Sequence, residues 1–152
     1  MAINTGRVIG GGLLAGALMN FVDFLVNGVW LAHQWMDEAT SLNPRLADPA
    51  LAMPSTVGWV VTDFLLGILI VWSYAAMRPR FGPGAGTAVK AALLVWGVSH
   101  IAYASFVFLN MYSLHLVALV SLGGLVAALA GGYTGCSIYK EDAPPMGRQG
   151  AV

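Results

Sequence analysis

Two aspartates and a histidine stand inside apolar stretches where ionisable groups are costly. Asp23 lies eight residues before Leu31 and Asp63 seven residues after Thr56. At the standard helical rise they sit about 12 Å and about 10 Å below one end of their stretches. His100 lies ten residues before Asn110, about 15 Å in. Tyr103 follows it at i+3 on the same helix face, Ser99 adjoins it, and Ser121 reaches a similar level on the last stretch. A carboxylate at such a depth costs roughly 2.5–3.5 kcal/mol on insertion scales, so neither acid is expected to face lipid. Two carboxylates in a low-dielectric medium repel unless a proton or a cation lies between them. With His100 near, the chemistry available is a proton relay or a cation site. The rival reading is a buried hydrogen-bond network that sets helix register, with Asn20 and Tyr103 satisfying the acids. A metal centre would need Asp23, Asp63 and His100 to converge, and no short ligand motif asks for one. Haem between His100 and His115 is disfavoured because half a membrane separates them in depth, and His33 with His115 is an ordinary interfacial pair. No cofactor is expected.

The elements that would position these groups are four apolar stretches, approximately Val8–Ala32, Thr56–Met77, Thr87–Asn110 and Ser113–Tyr139. About 20 residues cross a hydrocarbon core about 30 Å thick, and all four are long enough. Charged residues make up 9% of the 152 and hydrophobic ones 58%, where a soluble domain carries about 25% charge. The fold class expected is all-α: a four-helix transmembrane bundle, up-down-up-down, occupying residues 1–140 as one domain. Residues 141–152, with Pro144-Pro145 and small polar residues, read as a disordered cytoplasmic tail. The first stretch is too long for a signal h-region, carries Asp23 and lacks an A-x-A cleavage pattern at its far end, so it is expected to stay. A net charge of zero argues against nucleic acid, whose phosphates require clustered Lys and Arg. Cys136 has no partner for an internal disulfide and reads as a buried thiol.

Charge outside the stretches sets the orientation. Arg7, Arg78, Arg80, Lys90, Lys140 and Arg148 fall on one side of a four-span chain, while Arg45 stands opposite beside Asp37, Glu38 and Asp48. Basic short loops stay cytoplasmic, so both termini are expected inside, and the bias argues against dual topology. Between the second and third stretches, Pro79 and Pro83 are expected to end a helix and the glycines to permit the turn, with Thr87 as N-cap of the third. Only Met111 and Tyr112 separate the last two, which predicts a tight antiparallel hairpin. The link His33–Ser55 is longest. Its Asn43-Pro44 and Asp48-Pro49 each pair a cap with a first-turn proline, predicting one or two short interfacial helices. Trp30, Trp35, Trp59 and Tyr112 suit an aromatic belt.

Helix faces narrow the packing. Gly12, Gly16, Asn20, Asp23 and Asn27 recur every three or four residues and form one stripe, which places the first span centrally in the bundle. Gly124, Ala128, Gly132 and Cys136, flanked by Gly131 and Gly135, form a second small-residue series, for packing in the bundle or between copies.

The run Val71-Trp72-Ser73-Tyr74-Ala75-Ala76-Met77-Arg78-Pro79-Arg80-Phe81-Gly82-Pro83-Gly84 resembles a stretch in small uncharacterised bacterial four-span membrane proteins. Asn20–Trp35, with Asn27-Gly28-Val29-Trp30 and a second tryptophan beyond, is similar to the first span of that group. The resemblance implies a four-span layout in a bacterial inner membrane and carries no activity or site residues with it.

Three classes of function follow. The first is a small binding or transport module, with Asp23, Asp63, His100, Asn20 and Tyr103 around a pocket for a cation, proton or small molecule. Second is an accessory or structural subunit of a larger membrane complex or homo-oligomer. A lipid-directed enzyme comes last, since His33, Asp37 and Glu38 are its only candidates and show no catalytic spacing. The expectation is a non-enzymatic protein.

Overall fold

The computed structural model describes residues 3–140, apart from the side chains of residues 52 and 53. The expected tail 141–152 lies outside the described residues. Five α-helices form: α1 (Thr5–Asp23), α2 (Ala32–Leu42), α3 (Pro49–Phe81), α4 (Ala85–Phe108) and α5 (Leu114–Ser137). A π-helical segment, Phe24–Trp30, extends α1, and a 3-10 turn, Pro44–Ala47, joins α2 to α3. Four of these units are long and apolar enough to cross a membrane: Thr5–Trp30, α3, α4 and α5. The protein is an all-α bundle with these four running up-down-up-down, and α2 belongs to the long link.

Caps account for most helix starts. Asn4 Oδ1 accepts from Arg7 N–H at 3.0 Å, Asp48 Oδ1 from Ala50 N–H at 2.9 Å, and Ser113 Oγ from Leu116 N–H at 3.1 Å. Each satisfies one of the amides that a helix leaves open at its first turn. The Asp48-Pro49 pair starts α3 itself rather than a separate interfacial helix, so the second span begins well before Thr56. Asn43-Pro44 begins the 3-10 turn, Asn43 Oδ1 accepting from Arg45 N–H at 3.1 Å.

Three local expectations are corrected. Pro79 does not end α3, which continues to Phe81 and closes with Gly82 N–H on Arg78 carbonyl at 2.9 Å. In a last turn the missing proline amide removes one bond only, and that end survives the loss. Thr87 is not an N-cap: α4 starts at Ala85, because Gly82 (φ +78°) and Gly84 (φ +121°) turn the chain at once. The Thr87 hydroxyl donates backward to Gly82 carbonyl at 2.7 Å, tying α4 to the end of α3. The α4–α5 link runs from Leu109 to Ser113, longer than two residues, and takes Asn110 through φ +53°.

Lipid tails are as apolar as leucine, so close packing rather than hydrophobicity must hold such helices together. Glycines supply it. A Cβ on Gly16 would stand 2.6 Å from Phe64 Cα, one on Gly67 would stand 2.5 Å from Gly12 carbonyl oxygen, and one on Gly12 would collide with Ile68 Cα. The α1 and α3 backbones therefore touch. On its other side α1 meets α5, with Gly11 against Gly135 and Ala15 against Gly131. The small-residue stripes of the first and last spans thus face interior neighbours. α4 packs on α5 and α3, and α3 also touches α5, which leaves α1 and α4 on opposite sides of the bundle.

Packing is uneven along the axis. Buried side chains crowd the end that carries Arg7, Arg78 and Lys140, the basic end: Val8, Ala15, Ile70, Val71, Tyr74, Ala88, Ala92, Ala128 and Cys136. Toward the other, loop end, every α3 residue from Pro54 to Thr62 is exposed. Asp63 is the first fully buried residue that α3 brings to the bundle.

Candidate functional site: an acidic pair on adjacent spans

The α1–α3 register is read from three contacts: Gly12 with Ile68, Gly16 with Phe64, and Asn20 with Val60 carbonyl. The helices run antiparallel, so Asp63 is level with Ala17, about 9 Å along the axis from Asp23. The equal depth expected from the sequence took the second span to start at Thr56. The true start at Pro49 and the glycine seam place Asp63 deeper. Helical side chains lean toward their own N-termini. Asp23 therefore leans toward the basic end and Asp63 toward the loop end, and the two acids approach closely enough for their charges to act on each other. Asp63 is only 6% exposed, and Asp23 Oδ1 is buried with no hydrogen-bond partner among the described residues.

Asn20 lies between the two levels but does not serve the acids as expected. Its Nδ2 donates to Gly16 carbonyl at 2.9 Å and across to Val60 carbonyl at 3.2 Å. An amide at this position finds backbone carbonyls first, because the glycine seam draws α3 within reach. Beyond Asp23 the π-helical segment rotates the chain, closed by Leu31 N–H on Val26 carbonyl at 2.8 Å. Asn27 consequently leaves the α1 stripe, and its Oδ1 accepts from Trp35 Nε1 at 3.1 Å. A π segment starting at an intramembrane acid matches where such irregularities usually occur, at functional positions.

His100 is level with Asp23 but on the other side of the bundle. Its imidazole abuts Gly124, whose added Cβ would stand 2.5 Å from Nε2. Nδ1 is within hydrogen-bonding distance of Trp96 carbonyl (3.1 Å) and Ser99 Oγ (3.2 Å), and the ring stacks on Trp96 at 5.5 Å. From there a ladder of rings climbs to the loop end: His100 to Tyr103 at 6.2 Å, Tyr103 to Phe106 at 5.4 Å, Phe106 to Tyr112 at 6.1 Å, and Tyr112 to Trp35 at 5.1 Å. Tyr103 belongs to this ladder, within electrostatic reach of Tyr112 and Glu38. Its hydroxyl is buried without a hydrogen-bond partner among the described residues. The structure thus brings together Asp23, Asp63 and Asn20, and gathers His100 and Tyr103 elsewhere. Among the described residues no three His, Cys, Asp or Glu side chains are placed to hold a metal ion.

Glu38, weighed in the sequence only as a weak acid–base candidate, has a structural part. Its carboxylate accepts from Ser113 N–H at 2.7 Å and Ser113 Oγ at 2.5 Å, pinning α2 to the first turn of α5. An acid at a helix N-terminus is favoured by the dipole as well as by the two bonds. The docking partner of Glu38 lies 75 positions away and no local signal marks it.

Against known proteins the chain stands apart: no family model, no curated protein and no solved structure matches it.

Proposed function

We propose that this protein is a small intramembrane binding or transport module in which Asp23 and Asp63 together take up a proton or a cation. The observation that carries the reading is a pair of carboxylates on adjacent helices, about 9 Å apart along the axis and leaning toward each other, inside spans, with the lysines and arginines at helix ends and in links. Two such groups cannot both hold full negative charge in low dielectric without a compensating positive one. Asp63 lies where the tight glycine packing stops and Asp23 above it, with α3 exposed from Pro54 to Thr62 toward the loop end. Orientation follows the basic residues: both termini cytoplasmic, the α2 link outside, in a bacterial inner membrane.

Reconstitution into liposomes with an enclosed pH indicator, under imposed sodium, potassium or proton gradients, tests the proposal. Wild type should move or bind one of these ions. Asp63→Asn should abolish the signal and Asp23→Asn should weaken it, both remaining folded. No ion response in wild type, together with full stability of both asparagine variants, would shift the reading to an accessory subunit of a larger complex.

A further inference from the structure

A cavity of about 320 Å³ opens at the basic end, between the end of α3, the first turn of α4 and the end of α5. Its chemistry is cationic and aromatic: Arg78 and Lys140, with Tyr74, Tyr139, Tyr133 and the Gly84 turn. No Asp or Glu among the described residues lines it.

The parts are pre-set. Tyr74 and Tyr139 meet edge to face with centroids 6.0 Å apart, and the Arg78 guanidinium lies 5.8 Å from one ring centre and 5.4 Å from the other. At these distances both rings make cation–π contacts with the guanidinium, the group best shaped for two parallel bonds to a phosphate. Both tyrosine hydroxyls are held by backbone donors, Tyr74 Oη accepting from Gly84 N–H at 3.1 Å and Tyr139 Oη from Asn4 N–H at 3.3 Å. Accepting those bonds leaves each hydroxyl proton to donate. The first turn of α4 also borders the cavity and carries no side-chain cap. Its open amides and positive dipole end add to the attraction for an anion.

The position selects among anions. Tyr133 lines the cavity and is 59% exposed on the flank of the bundle, so the opening reaches the surface that lipid covers. Lys90 and Arg80 flank the exposed Phe81 nearby, at 5.3 Å and 6.0 Å from its ring centre, an arrangement suited to the headgroup layer. Basic pockets between spans on the cytoplasmic side are suited to anionic headgroups. The geometry points to a binding site for the phosphate of an anionic lipid headgroup, with Arg78 as the fork, Lys140 as the second charge and the two tyrosines as neutral donors. The site is separate from the acidic pair and does not depend on what that pair does.

The test is native mass spectrometry of the full chain released from mixed phosphatidylglycerol and phosphatidylcholine nanodiscs, with thermal unfolding after addition of each lipid. Wild type should retain phosphatidylglycerol preferentially and be stabilised by it. Arg78→Gln combined with Lys140→Gln should lower that preference about tenfold or more, the loss expected for charge-assisted hydrogen bonds. Lys140→Gln alone changes an exposed side chain, so a several-fold loss of preference in it tests the site even if the Arg78 variant fails to fold. Equal retention of the two lipids by wild type, or an unchanged preference in folded variants, would overturn the proposal. Stabilisation by inorganic phosphate with no preference between lipids would overturn the lipid source and assign the cavity to a soluble phosphate compound.

Discussion

Replacing Gly16 with alanine adds one methyl group to a seam where two backbones touch, and the outcome can be worked from the geometry. The new Cβ would stand 2.6 Å from Phe64 Cα, 2.6 Å from Phe64 Cδ1 and 3.1 Å from Asp63 carbonyl oxygen. Carbon atoms rest at about 3.5–4.0 Å, so the shortfall against Phe64 Cα is about 1 Å. The Phe64 ring could rotate, but Cα is backbone and cannot. The helices must part instead, and parting them loosens Gly12 against Ile68 and Gly67 against Gly12 along the same seam. Overpacking of this kind costs about 1–3 kcal/mol. For a chain of this length, each kcal/mol lowers the melting temperature by about 2–4 °C. A fall of about 2–12 °C is therefore expected in detergent, measured by loss of the monodisperse peak after heating. Gly97→Ala is the matched control, since a Cβ there meets nothing within 4 Å, and alanine is favoured over glycine in a helix by up to about 1 kcal/mol. It should melt at or above wild type. A Gly16→Ala protein as stable as wild type, or a Gly97→Ala protein that loses as much, would refute the direct-contact account of α1–α3 packing. Because Asp63 adjoins Phe64, the Gly16 variant should also disturb any ion response of the acidic pair, whereas Gly97→Ala should not.

Glu38→Gln should weaken the two bonds to Ser113 and free α2 from α5, at a cost within the about 0.5–2 kcal/mol typical of helix caps; faster amide exchange confined to α2 and the first turn of α5 would confirm it, and unchanged exchange would count against the clamp. Trp35→Phe keeps a ring against Tyr112 but loses the indole bond to Asn27, so about 1 kcal/mol of stability should go, and Asn27→Ala in the Phe background should add little further. Reporter fusions at Ala50, in the first turn of α3, and after Lys140 should report opposite compartments, with Lys140 inside; the same compartment for both would exclude the four-span orientation.

Which features were legible in the chain follows from the range of the interactions behind them. Apolar length and caps such as Asp48-Pro49 act through the bilayer or within a few residues, so the four spans could be read directly, although that cap starts α3 itself rather than a separate short helix. The spacing of Gly12 and Gly16 likewise implied a close neighbour. Other outcomes were set only when helices met. Backbone contact along the glycine seam fixes the α1–α3 register, which lowers Asp63 relative to Asp23 and directs the Asn20 amide onto carbonyls. The π segment turns Asn27 away from its stripe, an irregularity that a regular 3.6-residue period cannot anticipate. Placing α1 and α4 on opposite sides separates His100 and Tyr103 from the acids despite the shared level of His100 and Asp23. Arg78 was read for orientation alone, and no local spacing ties it to Tyr74 and Tyr139. Only the folded bundle brings the last turns of α3 against the end of α5 and so builds one cationic cavity from two segments far apart in the chain. Residue type and local spacing determined what each side chain could do and which span would carry it. Interhelical packing decided which of them met, because that depends on contacts between residues far apart in the chain.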